Sequence, residues 1–403
     1  MDVGSTGFIM ICTALVFLMT PGLAFFYGGL VDTKHVVGVK LQSFISLGLT
    51  TLLWISVGYS LCFSGDIGGI IGNLDHIFLR GISPHDVLPE TGLPTFVFIA
   101  YQMMFAIITP ALITGAFTHR VTFKAYLIFL VLWQLFIYYP FVHMIWGGGL
   151  LAQWGVLDFA GGIVVHVSAG MAALATVFYV GPRSNKDIKP HSLPIIALGA
   201  ALLWFGWFGF NAGSALGVNF VAGLAFLNTQ ISAAIGALVW ILLEWVYLGK
   251  PKMLGFLTGS IAGLATITPA AGFISPASAV IVGALAGSVC FYAVQYKNKK
   301  GWDDALDVWG VHGVGGALGT VLLGVFGSTA MNQAGTNGLL YYANTTFLFK
   351  QVIAVLGTGI YAFASTLLLL KIINVFTPVC IKNPQSEGVD EKLHGESAYA
   401  YQN

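Results

Sequence analysis

Charge is what this sequence has least of: Asp, Glu, Lys and Arg make up 8% of its 403 residues, against about 25% in a soluble domain. A chain so poor in charge cannot cover a water-soluble globule, and a hydrophobic content of 57% completes that exclusion. Cysteine is also scarce. Cys12, Cys62, Cys290 and Cys380 are scattered without C-x-x-C spacing, so neither a disulfide framework nor a zinc site is indicated, and each reads as a small buried thiol. The 17 Lys and Arg give a net charge of only +1 and form no patch interleaved with aromatics, which excludes nucleic acid as a partner. No basic region precedes the first apolar run, which therefore reads as a retained helix and not a cleaved signal.

What is present is length without charge. A membrane span needs about 20 apolar residues, and a charge at mid-membrane costs on the order of 3 kcal/mol, so charge-free gaps mark spans. Single-helix gaps run from Asp2 to Asp32, Lys40 to Asp66, Glu90 to Arg120, Lys124 to Asp158, Asp158 to Arg183, Asp307 to the polar 327–346 stretch, and Lys350 to Lys371. Two longer gaps, Lys189 to Glu244 and Lys252 to Lys297, each split at turn signals, near Asn211-Ala-Gly-Ser and at Pro269-Ala-Ala-Gly-Phe-Ile-Ser-Pro276. The expected fold class is thus an all-α polytopic membrane protein with eleven transmembrane helices and its termini on opposite sides. With the N-terminus outside, fifteen Lys and Arg fall on the inner connectors and tail, and only Arg80 and Lys350 fall outside; this bias sets the orientation as N-terminus out, C-terminus in. Residues 1–381 are the membrane domain, and 382–403 form a polar cytoplasmic tail too hydrophilic to fold alone.

One pattern recurs. Asp158-Phe-Ala-Gly-Gly-Ile-Val-Val-His166 and Asp304-Ala-Leu-Asp-Val-Trp-Gly-Val-His312 both read Asp, seven residues, His, three residues, Gly. With five spans per half, the second copy enters from the opposite face, so two inverted five-helix repeats plus a final helix are expected, with a transport site between them. Eight residues of helix rise about 12 Å, which carries each histidine well into a hydrocarbon layer of about 30 Å. An ionisable group at that depth is a functional candidate. Asp158 and Asp304 are equally readable as ordinary N-caps. His143 reads as an interfacial side chain with a polar tip; His35, His76, His85, His119, His191 and His394 lie in polar connectors or the tail and read as solvated.

These motifs, with Gly181-Pro-Arg183, Pro190-His-Ser-Leu-Pro194, Trp207-Phe-Gly-Phe-Asn-Ala-Gly-Ser214, Thr268-Pro-Ala-Ala-Gly272, Asp307-Val-Trp-Gly-Val-His312 and the tail stretches Glu387-Gly-Val-Asp and His394-Gly-Glu-Ser-Ala-Tyr399, resemble the ammonium transporter (Amt/MEP/Rh) family, on its Amt branch. The resemblance runs almost end to end. It implies an eleven-helix protomer in a homotrimer, one path per protomer for ammonium or ammonia and for methylammonium, and no cofactor. It places the outer substrate site on Trp146, Phe105 and Ser214, with Asp158 beneath, the aromatic gate on Phe105 and Phe210, and the pore and proton relay on His166, His312 and Trp207. Tyr101 stands where some relatives carry Phe, and Pro182 where Lys is common. The tail match implies regulation by a PII-class signal protein at the cytoplasmic face.

The residue types suit that task. Ammonium is the size of potassium, so selection needs more than a sized hole; an aromatic box offers about 0.5–2 kcal/mol of cation–π attraction, and Ser214 can accept a hydrogen bond that potassium cannot give. A bare cation is costly in an apolar lane and neutral ammonia is not, so the proton is lost at or before the gate. Paired imidazoles can then share a proton along the lane. Taken singly, Trp146 or Phe210 would equally suit an aromatic belt or core, and the 51 glycines suit close helix approach. Two other classes compete. An ammonium sensor of the same fold would carry an appended signalling domain, for which the tail has no room, and an intramembrane enzyme would need a nucleophile or metal set near the histidines, which is lacking.

Overall fold

A computed structural model describes residues 1–183, 189–381 and 389–399. Lys186 and Lys382 of the charge count and Glu387-Gly388 of the tail motif lie outside the described residues. Ten described helices are long and apolar enough to cross a membrane: α1 (Val3–Leu30), α2 (Thr33–Phe63), α3 (Thr95–Phe117), α4 (Phe123–Trp154), α5 (Gly162–Val180), α6 (Leu193–Ala215), α7 (Phe220–Leu248), α9 (Pro276–Lys300), α10 (Trp309–Phe326) and α11 (Thr345–Phe376). Between α7 and α9 lies the shorter apolar α8 (Met253–Ile267). A six-residue helix, α12 (Val389–His394), follows in the tail. No strand forms among the described residues, only isolated bridges such as Val121 with Cys380. The chain is all-helical, with about ten to eleven apolar candidate spans.

Local chemistry sets the boundaries. Asp2, Ser192, Asn219, Ser275 and Asn344 each accept a hydrogen bond from a backbone amide in the first turn of the helix that follows, the usual way of satisfying an orphan donor at a helix start. Pro276, at the first position of α9, lacks the donor that would otherwise be orphaned. Gly249 and Gly301 close α7 and α9 in the left-handed conformation. Both long gaps break where the turn signals stand, α6 giving way to α7 after Ala215 and α8 ending at Ile267 before Pro276.

Four histidines expected in water are engaged, two through the tail, which folds back on the connectors, and two with each other. The carboxylate of Asp390 accepts from Val37 N and Gly38 N, both at 2.8 Å, and so caps the start of the regular part of α2 from more than 350 residues away. His191 lies 2.9 Å from Val31 O through Nδ1 and 2.8 Å from the Tyr399 hydroxyl through Nε2. The His35 and His119 rings stack with centroids 3.4 Å apart, and His394 meets the Phe123 ring edge-on. His143 is fully buried and not interfacial, bridging Cys62 O at 2.9 Å and Asp66 Oδ1 at 3.0 Å. Cys12, Cys62 and Cys290 are buried free thiols as expected, whereas Cys380 is exposed because it lies past the end of α11.

At the same end of the bundle, Asp303 forms an ion pair with Arg183 at 2.7 Å and lies 3.6 Å from Arg120. Arg120 also donates to Ala116 O, Gly181 O and Asp303 O. Burial alone would raise the Asp303 carboxyl, but the hydrogen bonds and charge of Arg183, with the charge of Arg120, bring it below the ordinary carboxylate value. Lys297 pairs with Asp307 at 2.6 Å.

Candidate functional site

At the end opposite the tail, the glycines 147–149 interrupt the last part of α4, and Trp146 just before them is only partly buried. Its indole N–H donates to Asp158 O at 2.9 Å, which fixes the ring over the bundle. The Trp146 ring meets Phe105 edge-on at 5.8 Å, and Phe105 lies over Phe210 at 4.2 Å between centroids with a 30° tilt. Both phenylalanines are 1% exposed, so they close the route that Trp146 and the half-buried Ser214 leave open above.

Ser214 is set up as an acceptor. Its hydroxyl donates to Phe210 O at 2.9 Å, which commits its proton and leaves its lone pairs to accept; the Tyr101 hydroxyl lies 3.4 Å away. Tyr101, the departure from Phe, donates within reach of Gly209 O and Phe210 O, both at 2.9 Å, and packs edge-on against Phe105 at 5.0 Å. The extra hydroxyl thus ties α3 to the end of α6 beside the Phe105–Phe210 pair.

Below Phe210 the rings continue as a column. His166 stacks under Phe210 at 6.3 Å and beside Trp207 at 5.5 Å, with interplanar angles of 24° and 26°. His166 Nδ1 lies 3.2 Å from His312 Nδ1, a contact that requires a single hydrogen between the two nitrogens. Trp207 is anchored by its N–H donating to Thr268 Oγ1 at 2.9 Å. A cavity of about 320 Å³ runs along this column, past apolar Leu112, Leu203 and Val311, to Asp307, Lys252 and Glu244 near the tail end. The structure therefore brings all eight predicted site residues together: Trp146, Phe105 and Ser214 above, Phe210 between, Trp207, His166 and His312 below, and Asp158 to the side.

Asp158 does not face the lane. Its Oδ1 accepts from Gly161 N and Gly162 N at 2.8 and 2.6 Å, and its Oδ2 from Ile163 N and Val164 N at 2.7 and 3.1 Å. Four donors on two oxygens is the pattern of an ionised carboxylate, while burial pushes its pKa above the ordinary value against those amides. The carboxylate thus takes up the free amides at the start of the helix that follows. The aspartate heads a π-helical turn, Gly162–Val167, that carries His166. Asp304 plays the matching part, accepting from Trp309 N at 2.8 Å at the head of the π-helical turn Trp309–Gly313, which carries His312.

The glycine that ends each repeat has a steric reason. A Cβ on Gly170 would lie 2.3 Å from the Gly313 backbone, and one on Gly316 would lie 2.6 Å from His166 Cβ. Only hydrogens fit where the two half-repeats cross. Sequence reasoning passed over Thr268 as a site residue; its signal was a hydroxyl at the end of an apolar run, within a motif already noted.

Many apolar spans around a narrow lane define a multi-pass membrane protein of the cell membrane. The chain belongs to the Ammonium Transporter Family, whose model matches residues 7–399. It is 45% identical over 404 residues to the ammonium transporter of Bacillus subtilis (strain 168), covering 99% of both chains. It is also 45% identical over 403 residues to ammonium transporter Amt1 of Archaeoglobus fulgidus, covering 99% of this chain and 100% of that one. The crystal structure of Saccharomyces cerevisiae Mep2 superposes with a TM-score of 0.89 at 32% identity, covering 97% of this chain and 90% of that chain. A structure described as a sensor Amt protein superposes with a TM-score of 0.87 at 27% identity, covering 97% and 96%.

Proposed function

We propose that this protein is an ammonium transporter: it recruits ammonium at Trp146, Phe105 and Ser214, strips its proton at the Phe105–Phe210 gate, and conducts ammonia along a lane lined by Trp207, His166 and His312. The proposal includes eleven spans in two inverted five-helix repeats plus a final helix, the N-terminus outside, a homotrimer with one lane per protomer, and a regulatory tail from residue 382 that presents a docking face to a PII-class protein. Methylammonium, which also has N–H donors, shares the route.

The observation that carries the reading is the imidazole pair, with Nδ1 atoms 3.2 Å apart directly beneath buried stacked rings. An apolar passage rejects a bare cation, so ammonium and potassium become distinguishable by the proton that ammonium gives up. The edge-on Trp146 and the acceptor-poised Ser214 supply the attraction above the gate. Asp158 acts through others, holding Trp146 by its carbonyl and the His166 turn by its carboxylate.

The test is labelled methylammonium uptake with simultaneous current recording in liposomes of the pure protein, for wild type, His166→Ala and His312→Ala. Charge movement coupled to substrate should fall in both variants while the protein remains assembled. Wild-type current together with wild-type flux in both variants would remove the relay and leave the rings as pore lining. The likeness to a sensor Amt protein motivates a second reading, an ammonium sensor of the same fold; saturable binding by the wild type without flux would select it.

A further inference from the structure

We infer that His143 is a positioning residue for the outer ammonium site. As an imidazolium paired with Asp66, it clamps the loop after α2, residues 64–72, onto the glycine turn that presents Trp146, and its proton links the affinity of that site to the pH at that face. The inference rests on the reading of Trp146 as part of the site. Both ring nitrogens of His143 face acceptors, Nδ1 the carbonyl of Cys62 at 2.9 Å and Nε2 the carboxylate of Asp66 at 3.0 Å, and the side chain is fully buried. A neutral imidazole has one hydrogen and would set a lone pair against the other oxygen; only the imidazolium serves both. Its place favours the charge. His143 lies in the last turn of the helical stretch Tyr139–Ile145, where the carbonyl end of a helix attracts a cation. Asp66 is exposed, and the hydrogen bond from His143, with the Gly69 amide, holds its carboxyl below the ordinary value. The other titratable side chains at this contact are neutral: the Cys62 thiol reaches Tyr139 O at 3.9 Å, and the Tyr139 hydroxyl donates to Gln134 at 2.8 Å. Asp66 is the one charged group on the imidazole among the described residues.

The clamp reaches Trp146 through the backbone. The His143 carbonyl accepts from Gly147 N at 3.1 Å and from Gly149 N at 2.9 Å, and Leu150 N donates to Gly69 O at 2.7 Å. Gly69 N donates at 2.7 Å to the same Asp66 oxygen that receives His143. A Cβ on Gly147 would overlap Cys62 O, and one on Gly149 would lie 2.5 Å from Gly69 O, so loop and turn touch at two points with no room for a side chain. Trp146 stands at the head of that turn, its indole fixed separately by Asp158 O. Loss of the His143 proton leaves one of the two oxygens facing a lone pair. The loop is then released from the turn, and the tryptophan keeps only its indole anchor.

The experiment is labelled methylammonium uptake into liposomes of the full-length protein, with the half-saturating concentration counted as the cation at each pH from about 6 to about 9, a range that spans imidazole titration. In wild type that concentration should rise toward the alkaline end as His143 gives up its proton. His143→Gln, which keeps one donor, should raise it at every pH by up to about thirtyfold, the whole Trp146 contribution, at unchanged maximal flux. Asp66→Asn should bring the alkaline rise to lower pH, because no carboxylate then retains the proton. In a Trp146→Leu background neither substitution should add a further rise, since the pair acts through that ring. Wild-type concentrations and pH profiles in both single variants overturn the inference, as does a further rise in the Trp146→Leu background. Asp66→Asn decides by the same criteria if His143→Gln does not fold. Hydrogen exchange of residues 64–72 and 147–151 in detergent reads the clamp without transport: faster exchange in either variant supports it, and wild-type rates in both overturn it. Absence of saturable uptake by wild type strikes the transport reading and leaves the clamp to the exchange measurement.

Discussion

The two halves that meet at the histidine pair are built on one motif and solve different problems with it. In the first, the carboxylate of Asp158 is saturated by four amides, and its backbone oxygen positions Trp146. In the second, Asp304 accepts Trp309 N through Oδ2, with the Val308 amide also favouring its ionised form, while Oδ1 has no partner at hydrogen-bond distance among the described residues. Its carbonyl takes the Lys297 ammonium at 2.6 Å. Burial raises the Asp304 carboxyl, with Lys297 opposing and Asp307 reinforcing. The first motif thus carries shape, holding Trp146 in place, and the second sits amid charge, where Lys297 meets Asp307 and Asp304 O, and Arg120 and Arg183 from the first half reach across to Asp303. Repetition of a motif fixed where each imidazole enters and left the surroundings free to diverge.

The largest expected effect sharpens that contrast. Asp158→Asn replaces an oxygen that serves two buried amides with a group that donates, and orphaning two donors costs about 2–6 kcal/mol. Asp304→Asn keeps an acceptor for the Trp309 amide and should cost no more than about 1 kcal/mol. Thermal denaturation of the two variants in detergent compares them directly; equal shifts would mean that the halves are equivalent after all.

Next in size is the charged half itself. Asp303→Asn removes the charge that faces one buried and one partly exposed guanidinium and should cost about 3 kcal/mol near neutral pH. Because the Asp303 carboxyl titrates below its ordinary value in the folded protein, its contribution is present above about pH 4, the unfolded value. It is lost as the pH falls through the folded value. The gap in melting temperature between wild type and variant should therefore close on acidification, and a gap independent of pH would assign Asp303 a purely steric role. The smallest effect belongs to the aromatic half. Trp146→Leu removes a cation–π term of at most about 2 kcal/mol, roughly thirtyfold in affinity. It should raise the half-saturating methylammonium concentration and weaken discrimination against potassium without disturbing assembly. Unchanged uptake and discrimination would return Trp146 to the interfacial belt.

Much of the site was legible in one dimension because its makers are rare. Two histidines inside apolar runs, each eight residues after an aspartate, are conspicuous in a chain with so few charges, and the glycine closing each repeat proved to be a contact point between the halves. Pairing of Trp207 with Thr268, 61 residues apart, left no such trace, since either residue alone fits an apolar helix. His143 was misjudged for the same reason: its partners Cys62 and Asp66 come from another helix and the loop after it. The connector and tail histidines looked solvated because a polar segment gives no sign of what folds over it.

Hydrophobic run length and charge spacing by themselves determined that the chain is a helical membrane protein and where its helices break. Those properties depend on each segment's own transfer into the bilayer and on its own backbone hydrogen bonds. Only the tertiary structure decided that Asp158 faces four amides and not the lane, that Phe105 covers Phe210, and that Asp390 caps a helix at the other end of the chain. Each of these is a contact between segments far apart in sequence, and its energy depends on distance and desolvation that no periodicity within a single helix records.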